Sequence, residues 1–478
     1  MTFSPFAADE ENWAKVSLSN FPSVDFNALF SFAADYQYSC SEQLAARGLT
    51  LVYAKPYLSS ENAGRADAQI PLILQELYSR QLADGGIAYW PGMSQANEWA
   101  TSMAGQFFTA AAENGYGVNK GVLASWKRYQ KKCVSNYRHS DAYADYDLQQ
   151  AYRLYTLALA DAADEGAMNR LKSAPAMTVQ ARWRLAAAYA LCGKKNIASQ
   201  LISDVSADAA GTQSWRYTFG SGLRDKAMML ETEVLTDRMT AALPLAQEVS
   251  DGMSQESYGT QGAAFASLAM SRLAEKVGDS AINVTVNGES VRSTKSSVSQ
   301  AFDSSTGRVV LKNEASDKVY ATVFIHGYPA AGESVSARSS NISLSVRYTD
   351  ASGDAVDPKN LAQGTDFYAE YLVTNISASA SDRSNLALTA RMPSGWEIFN
   401  DRLYGGGSSE GAGYNYQDIR DDRVIWYFDL PVGARKVFKL RLQASYEGVY
   451  VLPSVVCEDM YDSATYACTA TGTVRVKR

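Results

Sequence analysis

The feature of this sequence that most constrains its fold is a change of hydrophobic period near residue 278. Before that point the chain is rich in Ala, Leu, Gln and Arg, and apolar residues recur at spacings of three and four, as in AYRLYTLALADAA from Ala151. This spacing is typical of amphipathic helices. After that point apolar and polar residues alternate, as in KVYATVFIHGY and FYAEYLVTNIS, which is typical of strands. The sequence therefore predicts a helical part followed by an all-β part.

The helical part has the pattern of a closed ring. Glycine and proline breaks, such as those at Gly85, Gly86 and Pro175, divide the stretch from Ser41 to Lys276 into about ten predicted helices. Connections as short as these favour antiparallel neighbours. Successive helix pairs resemble one another only loosely, which argues against a regular solenoid. We therefore predict an α/α toroid.

The β part predicts antiparallel sandwich domains, because short strand candidates alternate with turn signals such as Asn287-Gly288 and Ser352-Gly353. The predicted organisation is a lead-in segment (residues 1–35), a toroid (36–277), a small β unit (278–335) and a C-terminal β-sandwich of about seven strands (340–478). The small β unit is expected to be part of a discontinuous domain.

Composition excludes several classes of function. The chain has 51 acidic and 44 basic side chains and a formal net charge of −7, which is unlike the basic footprint of a nucleic-acid-binding protein. No apolar run reaches the roughly 18 residues of a membrane-spanning helix. Two histidines and five cysteines argue against a multi-histidine metal site, and we expect no cofactor. The N-terminus lacks the pattern of a secretory signal, so we expect a fragment whose targeting signal lies upstream.

One stretch, YQYSCSEQLAARGLTLVY (residues 36–53), carries chemistry. Cys40 and Gln43 are three positions apart at the expected start of a helix, so their side chains lie on the same side of its first turn. Attack of the thiol on the Gln43 carboxamide, with loss of ammonia, would form an internal thioester. A helix N-terminus also favours the thiolate form of a cysteine. The alternative is a buried cysteine followed by two solvated polar residues.

Several blocks resemble the thioester-containing region of the bacterial alpha-2-macroglobulin family, in the family's order and over nearly the whole chain. They are VSLSNFPSVDF, YQYSCSEQ, DGGIAYWPG, ATSMAGQFFTAAAENGY, LQQAYRLYTLALA, YTFGSGLRDKAMMLETEVL and the segment from YNYQDIRDD to the end. The last of these is similar to the family's terminal macroglobulin-like domain, and the resemblance implies a CUB-like domain for the small β unit. Two departures from the family's Tyr-Pro-Tyr-Gly-Cys motif are Gln37 in place of Pro and Ser39 in place of Gly.

The resemblance implies roles for further residues. Glu42 and Tyr38 neighbour the thioester, and Tyr89 and Trp90 wall its pocket, although core aromatics would look the same in a sequence. Met460 and Tyr461 match a Met-Tyr pair that shields the thioester in bacterial relatives; the alternative is a pair of ordinary sandwich-edge residues.

Two further assignments stay open. His139 lies in the region that matches an acyl-transfer histidine of complement relatives, or it is simply a histidine of a surface loop. Cys457 and Cys468, in CEDMYDSATYAC, can close a hairpin as a disulfide or remain two half-buried thiols.

The function implied is that of the C-terminal, thioester-bearing part of a protease-trapping inhibitor. Its partners would be proteases, captured covalently through a bait region that is absent here, and the upstream macroglobulin-like domains of the same protein. The resemblance implies a periplasmic or envelope location with a lipoprotein anchor upstream. A toroidal glycosidase or terpene cyclase would need paired acids or a DDxxD motif, and no DDxxD motif is present. We therefore expect that the chain is not an enzyme. The alternative to a thioester-bearing inhibitor is an adhesion or interaction module with no functional thioester.

Overall fold

The computed structural model describes residues 2, 13–139, 144–175, 177–207, 218–254, 258–295, 297–303, 307–326, 334–378, 381–399 and 413–478. The chain divides into two compact units, unit 1 (Met1–Pro329) and unit 2 (Ala330–Arg478).

Unit 1 is dominated by helices. The described helices are α1 (Phe26–Asp35), α2 (Ser41–Ala54), α3 (Ser60–Ser79), α4 (Glu98–Glu113), α5 (Lys120–Asn136), α6 (Ala144–Leu159), α7 (Glu165–Lys172), α8 (Val179–Leu191), α9 (Lys195–Leu201), α10 (Gly222–Leu235), α11 (Met239–Met253) and α12 (Gly259–Val277), with a short 3-10 helix at Lys55–Tyr57. The described part of the chain thus holds twelve α-helices. The first of them precedes Ser41, and the other eleven compare with the roughly ten predicted between Ser41 and Lys276.

The even-numbered helices form a closed inner ring. Each of α2, α4, α6, α8, α10 and α12 packs against the next, and α12 packs back against α2. Helices α4 and α12 are buried along almost their whole length, whereas the outer helix α5 buries only Trp126, Gln130 and Val134. A helix that is buried on all sides belongs to the interior. The predicted α/α toroid is confirmed.

The inner helices all begin at one end of the ring, because each is joined to the next through an outer helix that runs back. Contacts between their first turns agree with this. The Arg224 guanidinium of α10 lies 5.0 Å from the centre of the Trp99 ring of α4, and its Nη1 donates to Gln261 Oε1 of α12 at 3.2 Å. We call this end of the ring, defined by the first turns of the even-numbered helices, the N-terminal mouth.

The remaining strands in the described part of unit 1 form two three-stranded sheets. Their strands are β1 (Trp13–Ser19), β2 (Ile282–Val286), β3 (Glu289–Ser293), β4 (Ser297–Phe302), β5 (Leu311–Asn313) and β6 (Tyr320–His326), in the orders β4-β1-β6 and β3-β2-β5. The β2–β3 hairpin turns at Asn287 (φ 49°) and Gly288 (φ 89°), the left-handed pair that a two-residue hairpin of this kind requires.

The structure differs from the predicted lead-in segment of residues 1–35. Strand β1 is the central strand of its sheet and pairs antiparallel with β4 and β6, whereas α1 packs against α2. The small β unit is therefore built from segments on both sides of the toroid, because β1, the central strand of one of its two sheets, precedes the first helix.

Unit 2 is an all-β sandwich. Its described strands are β7 (Arg338–Ser340), β8 (Ile342–Thr349), β9 (Leu361–Ala362), β10 (Asp366–Asn375), β11 (Arg383–Arg391), β12 (Trp396–Ile398), β13 (Tyr416–Ile419), β14 (Arg423–Leu430), β15 (Arg435–Ala444), β16 (Gly448–Leu452), β17 (Val456–Asp459), β18 (Tyr466–Cys468) and β19 (Gly472–Lys477). They form sheets β12-β15-β10-β8, β13-β14-β11-β17-β18-β7 and β16-β19-β9. Within the described ranges this makes thirteen strands, more than the seven or so predicted, because several pairing segments are only two to four residues long.

Candidate functional site

The candidate site is the first turn of α2, at the N-terminal mouth. Cys40 is the N-cap of this helix, with an extended backbone (φ −62°, ψ 159°). Its Sγ accepts a hydrogen bond from the Gln43 N–H at 3.4 Å, and Gln43 Oε1 accepts one from the Cys40 N–H at 3.3 Å. This is a reciprocal capping box in which the thiol takes the place of the usual hydroxyl. Both side chains are fully buried, so the structure brings the two predicted thioester partners together.

Two further side chains touch the reacting groups. The Cys40 thiol lies 3.8 Å from Glu42 Oε2, and Gln43 Nε2 donates to the Tyr36 hydroxyl at 3.2 Å. Glu42 is fully buried. Burial raises the pKa of the α6 residue Tyr152 well above its ordinary value, and the Glu42 carboxyl adds to that rise.

The reactive turn is held from both sides by Arg80, the C-cap residue of α3. Its Nη1 donates to the Ser39 carbonyl at 2.7 Å and to Ser41 Oγ at 3.2 Å, and its Nη2 pairs with Glu76. The side chain of Arg80 is 1% exposed. Because buried charged groups need such partners, this guanidinium holds the Ser39 backbone carbonyl and the Ser41 side chain, one on either side of Cys40.

The predicted aromatic walls lie beside the turn. Ser41 Oγ donates to the Ala88 carbonyl at 2.6 Å, and the Ser41 N–H donates to the Tyr89 carbonyl at 3.0 Å. Tyr89 and Trp90 therefore flank the start of α2, with their ring centres 5.3 Å apart. Trp90 is buried. Tyr89 is half-buried, and its ring stacks on that of Phe219 with the ring centres 5.4 Å apart.

Tyr38 is also buried at this turn, with its ring edge-on to that of Tyr36 at 5.6 Å. The sequence motif points to Tyr38 but not to Tyr36, although both stand in the YQYSCSEQ block. No local pattern points to Arg80, which lies forty residues from Cys40.

His139 lies on the connection between α5 and α6, at the mouth end of the ring. Its Nδ1 is 3.0 Å from Asp147 Oδ1, and the Tyr137 hydroxyl also donates to that oxygen. Beside it is a cavity of about 480 Å³ whose walls include Trp99, Cys133 and Tyr137. An imidazole oriented by a carboxylate in this way has the geometry of a proton carrier, and the acyl-transfer role of His139 stays a prediction.

Comparison with known proteins supports the resemblance to bacterial alpha-2-macroglobulins. The family described as "Bacterial Alpha-2-macroglobulin MG10 domain" matches residues 342–463. The alpha-2-macroglobulin homolog of Yersinia pestis is 23% identical over 95% of this chain and 25% of its own length, and alpha-2-macroglobulin of Escherichia coli is 22% identical over 96% and 29%. The predicted resemblance to the bacterial alpha-2-macroglobulin family is confirmed. The chain spans between a quarter and a third of the length of these relatives.

Solved alpha-2-macroglobulins share the fold. The native E. coli protein, spanning domain MG7 to the C-terminus, superposes with a TM-score of 0.82 at 17% identity over all of this chain and 78% of its own. The Salmonella protein reacted with methylamine superposes at 0.84, with 19% identity, over all of this chain and 32% of its own. At these identities the likeness shows the alpha-2-macroglobulin fold alone.

The predicted shield residues lie in the part that matches the MG10 domain. Met460 and Tyr461 follow β17 in the turn that leads to β18. Asp459 Oδ1 accepts hydrogen bonds from the N–H groups of Tyr461 (2.9 Å) and Asp462 (3.2 Å), and the Met460 N–H donates to the Asn385 carbonyl at 3.2 Å. Burial raises the pKa of Asp459 to about 7. The turn is therefore well organised, and its shielding role stays a prediction.

The disulfide between Cys457 and Cys468 is not made. In the β17–β18 pair, Cys457 is opposite Ala467 and Cys468 is opposite Val456, so the two cysteines are one position out of register. Side chains of successive residues in a strand point to opposite faces. Cys457 is fully buried in the sandwich core, where burial raises its pKa, while Cys468 is half-buried with its thiol 3.8 Å from the Ser336 carbonyl.

None of the described helices combines the length and the apolar character of a membrane-spanning helix, and no cluster of three or more His, Cys, Asp or Glu side chains in the same residues could hold a metal ion.

Proposed function

We propose that Cys40 and Gln43 form an internal thioester, and that the chain is the covalent-capture part of a protease-trapping protein of the alpha-2-macroglobulin type. The observation that carries this proposal is the reciprocal contact of the two side chains in the first turn of α2, both fully buried. In the first reaction the thiol adds to the carboxamide carbon of Gln43 and ammonia leaves. In the second, a nucleophile takes the acyl group and the Cys40 thiol is released.

Burial suits such a bond, because a thioester survives only where water is kept away and reacts when it is uncovered. That a Salmonella relative reacts with methylamine supports an amine, such as a protease lysine, as the acceptor. Capture would depend on a bait region and macroglobulin-like domains upstream, and the location would be the bacterial envelope. We assign Met460 and Tyr461, which lie on the organised turn after β17, as the residues that shield the thioester. We assign His139 as the residue that takes over the acyl group.

Intact-mass spectrometry of the full chain tests the thioester. The wild-type chain should be lighter than its sequence by one ammonia. Methylamine should then add its own mass and release one thiol that reacts with a thiol reagent. Cys40→Ala should abolish all three changes, whereas Cys133→Ala, which removes a half-buried thiol of α5, should keep them. The proposal is refuted if the wild-type chain has the full mass of its sequence and does not react with methylamine. That result would favour an interaction module instead.

A further inference from the structure

Three atoms of the Cys40–Gln43 pair must gain or lose charge when the thioester closes, and each has a different partner. The thiol Sγ lies 3.8 Å from Glu42 Oε2, and the carboxamide Oε1 accepts a hydrogen bond from the Cys40 N–H at 3.3 Å. The carboxamide Nε2 donates a hydrogen bond to the Tyr36 hydroxyl at 3.2 Å. These are contacts of the two side chains in their thiol and amide forms.

We propose that Glu42 and Tyr36 are the catalytic base and acid with which the chain closes its own thioester. This inference rests on the proposed function, because it concerns the formation of that same bond. A carboxylate beside the thiol can accept its proton, a backbone N–H on the carbonyl oxygen can stabilise the developing oxyanion, and a phenol on the amide nitrogen can protonate the leaving group.

The thioester closes by addition of the thiol and then elimination of ammonia. The Cys40 thiol gives its proton to Glu42, and Sγ bonds to the carboxamide carbon of Gln43, whose oxygen becomes an oxyanion held by the Cys40 N–H. The intermediate collapses as the carbon–nitrogen bond breaks and Tyr36 donates its proton to the nitrogen. Ammonia leaves, and a proton passed from Glu42 to Tyr36, directly or through water, restores both groups.

The surroundings favour this division of roles. Cys40, Glu42 and Gln43 are fully buried, and an electrostatic contact is stronger in such a site than in water. The α2 N-terminus adds a positive potential that favours a developing thiolate. Tyr36 is half-buried, which places the departing ammonia on the more exposed side of the turn.

Time-resolved intact mass after cell-free synthesis of the full chain would measure the rate of ammonia loss. Tyr36→Phe keeps the ring and removes only the acid, and Glu42→Gln keeps the shape and removes only the base. We expect each to slow maturation by about 100-fold, the low end of general acid–base catalysis, with Glu42→Asp partly restoring the rate. Once formed, the thioester of Tyr36→Phe should react with methylamine at the wild-type rate, which a general loss of packing would not preserve.

Matched controls remove a tyrosine hydroxyl and a buried carboxylate elsewhere in the ring. Tyr189→Phe loses the bond from its hydroxyl to Asn169, and Glu233→Gln loses a buried carboxylate of α10. Both should mature at the wild-type rate. If Tyr36→Phe matures as fast as these controls, the assignment is overturned even if Glu42→Gln fails to fold. If the wild-type chain never loses ammonia, both the proposed thioester function and this assignment are refuted.

Discussion

Arg80 offers the sharpest test of how the reactive turn is held. We consider Arg80→Met, which keeps most of the buried stem and removes the guanidinium. The variant loses the bonds to the Ser39 carbonyl (2.7 Å) and Ser41 Oγ (3.2 Å). Hydrogen bonds from charged donors contribute about 1.5–3 kcal/mol each. The bond to Ser41 Oγ is long and contributes little, and the carboxylate of Glu76 is nearly half exposed, so water can hydrate it once the guanidinium is gone. We therefore take the low end of the sum for two such bonds, a local loss of about 3 kcal/mol.

Hydrogen exchange followed by mass spectrometry measures this loss where it occurs. Because about 1.4 kcal/mol corresponds to a tenfold change in an equilibrium constant, a loss of about 3 kcal/mol should reduce the protection of the amides in the first turn of α2 about 100-fold. The fraction of chains that lose ammonia should fall in parallel. Arg80→Lys should recover only part of both, since an ammonium cannot reproduce the planar fork of the guanidinium.

The matched control is Arg182→Met. Arg182 also bonds a backbone carbonyl, that of Leu201 at 3.1 Å, and also pairs with a carboxylate, that of Asp204, but it lies on α8. It should leave thioester formation unchanged. Full thioester formation in Arg80→Met, together with wild-type protection of the α2 turn, would refute the reasoning.

Two further predictions concern the two units separately. A Cβ on Gly48 of α2 would lie 2.5 Å from ring carbons of Phe107 on α4, so Gly48→Ala should lower the thermal midpoint by the equivalent of about 1–3 kcal/mol; a raised midpoint would mean that helix propensity outweighs this clash. The pKa of Asp459 is about 7 in the folded state and about 3.9 in an unfolded chain. The folded state therefore binds the extra proton, and the unfolding free energy of unit 2 should fall by roughly 3–4 kcal/mol between about pH 4 and pH 7. Urea titrations across this range should show the fall in wild type and not in Asp459→Asn, and equal pH profiles would contradict the assignment.

The features that the sequence predicted correctly depend on short-range pattern. The change of period at residue 278, the Asn287-Gly288 hairpin and the meeting of Cys40 with Gln43 each need only a few consecutive residues. Helical geometry brings positions i and i+3 together wherever the helix begins. The neighbours of the turn within the same block, such as Tyr38 and Glu42, are for the same reason inherited from the local chain.

The features that it could not predict depend on long-range pairing. Nothing in the local pattern of β1 indicates that it pairs with β4 and β6, which lie about three hundred residues later. Arg80 reaches the reactive turn only because α3 ends beside it. Of the two alternatives for Cys457 and Cys468, the disulfide fails by one residue of register, because a slip of one position moves a side chain to the other face of a sheet.

Ser39 shows why a departure from a family motif need not disturb the site. Glycine before the cysteine matters if that residue has a positive φ, and Ser39 is not among the described residues with positive φ. Its carbonyl accepts from Arg80, a contact that any residue type can make. Ser39→Gly should therefore leave the yield of thioester unchanged and lower the unfolding free energy by about 0.5–1 kcal/mol, because glycine loses more backbone entropy on folding. Intact mass and thermal unfolding measure the two quantities. A higher thioester yield in Ser39→Gly would show instead that the serine strains the turn.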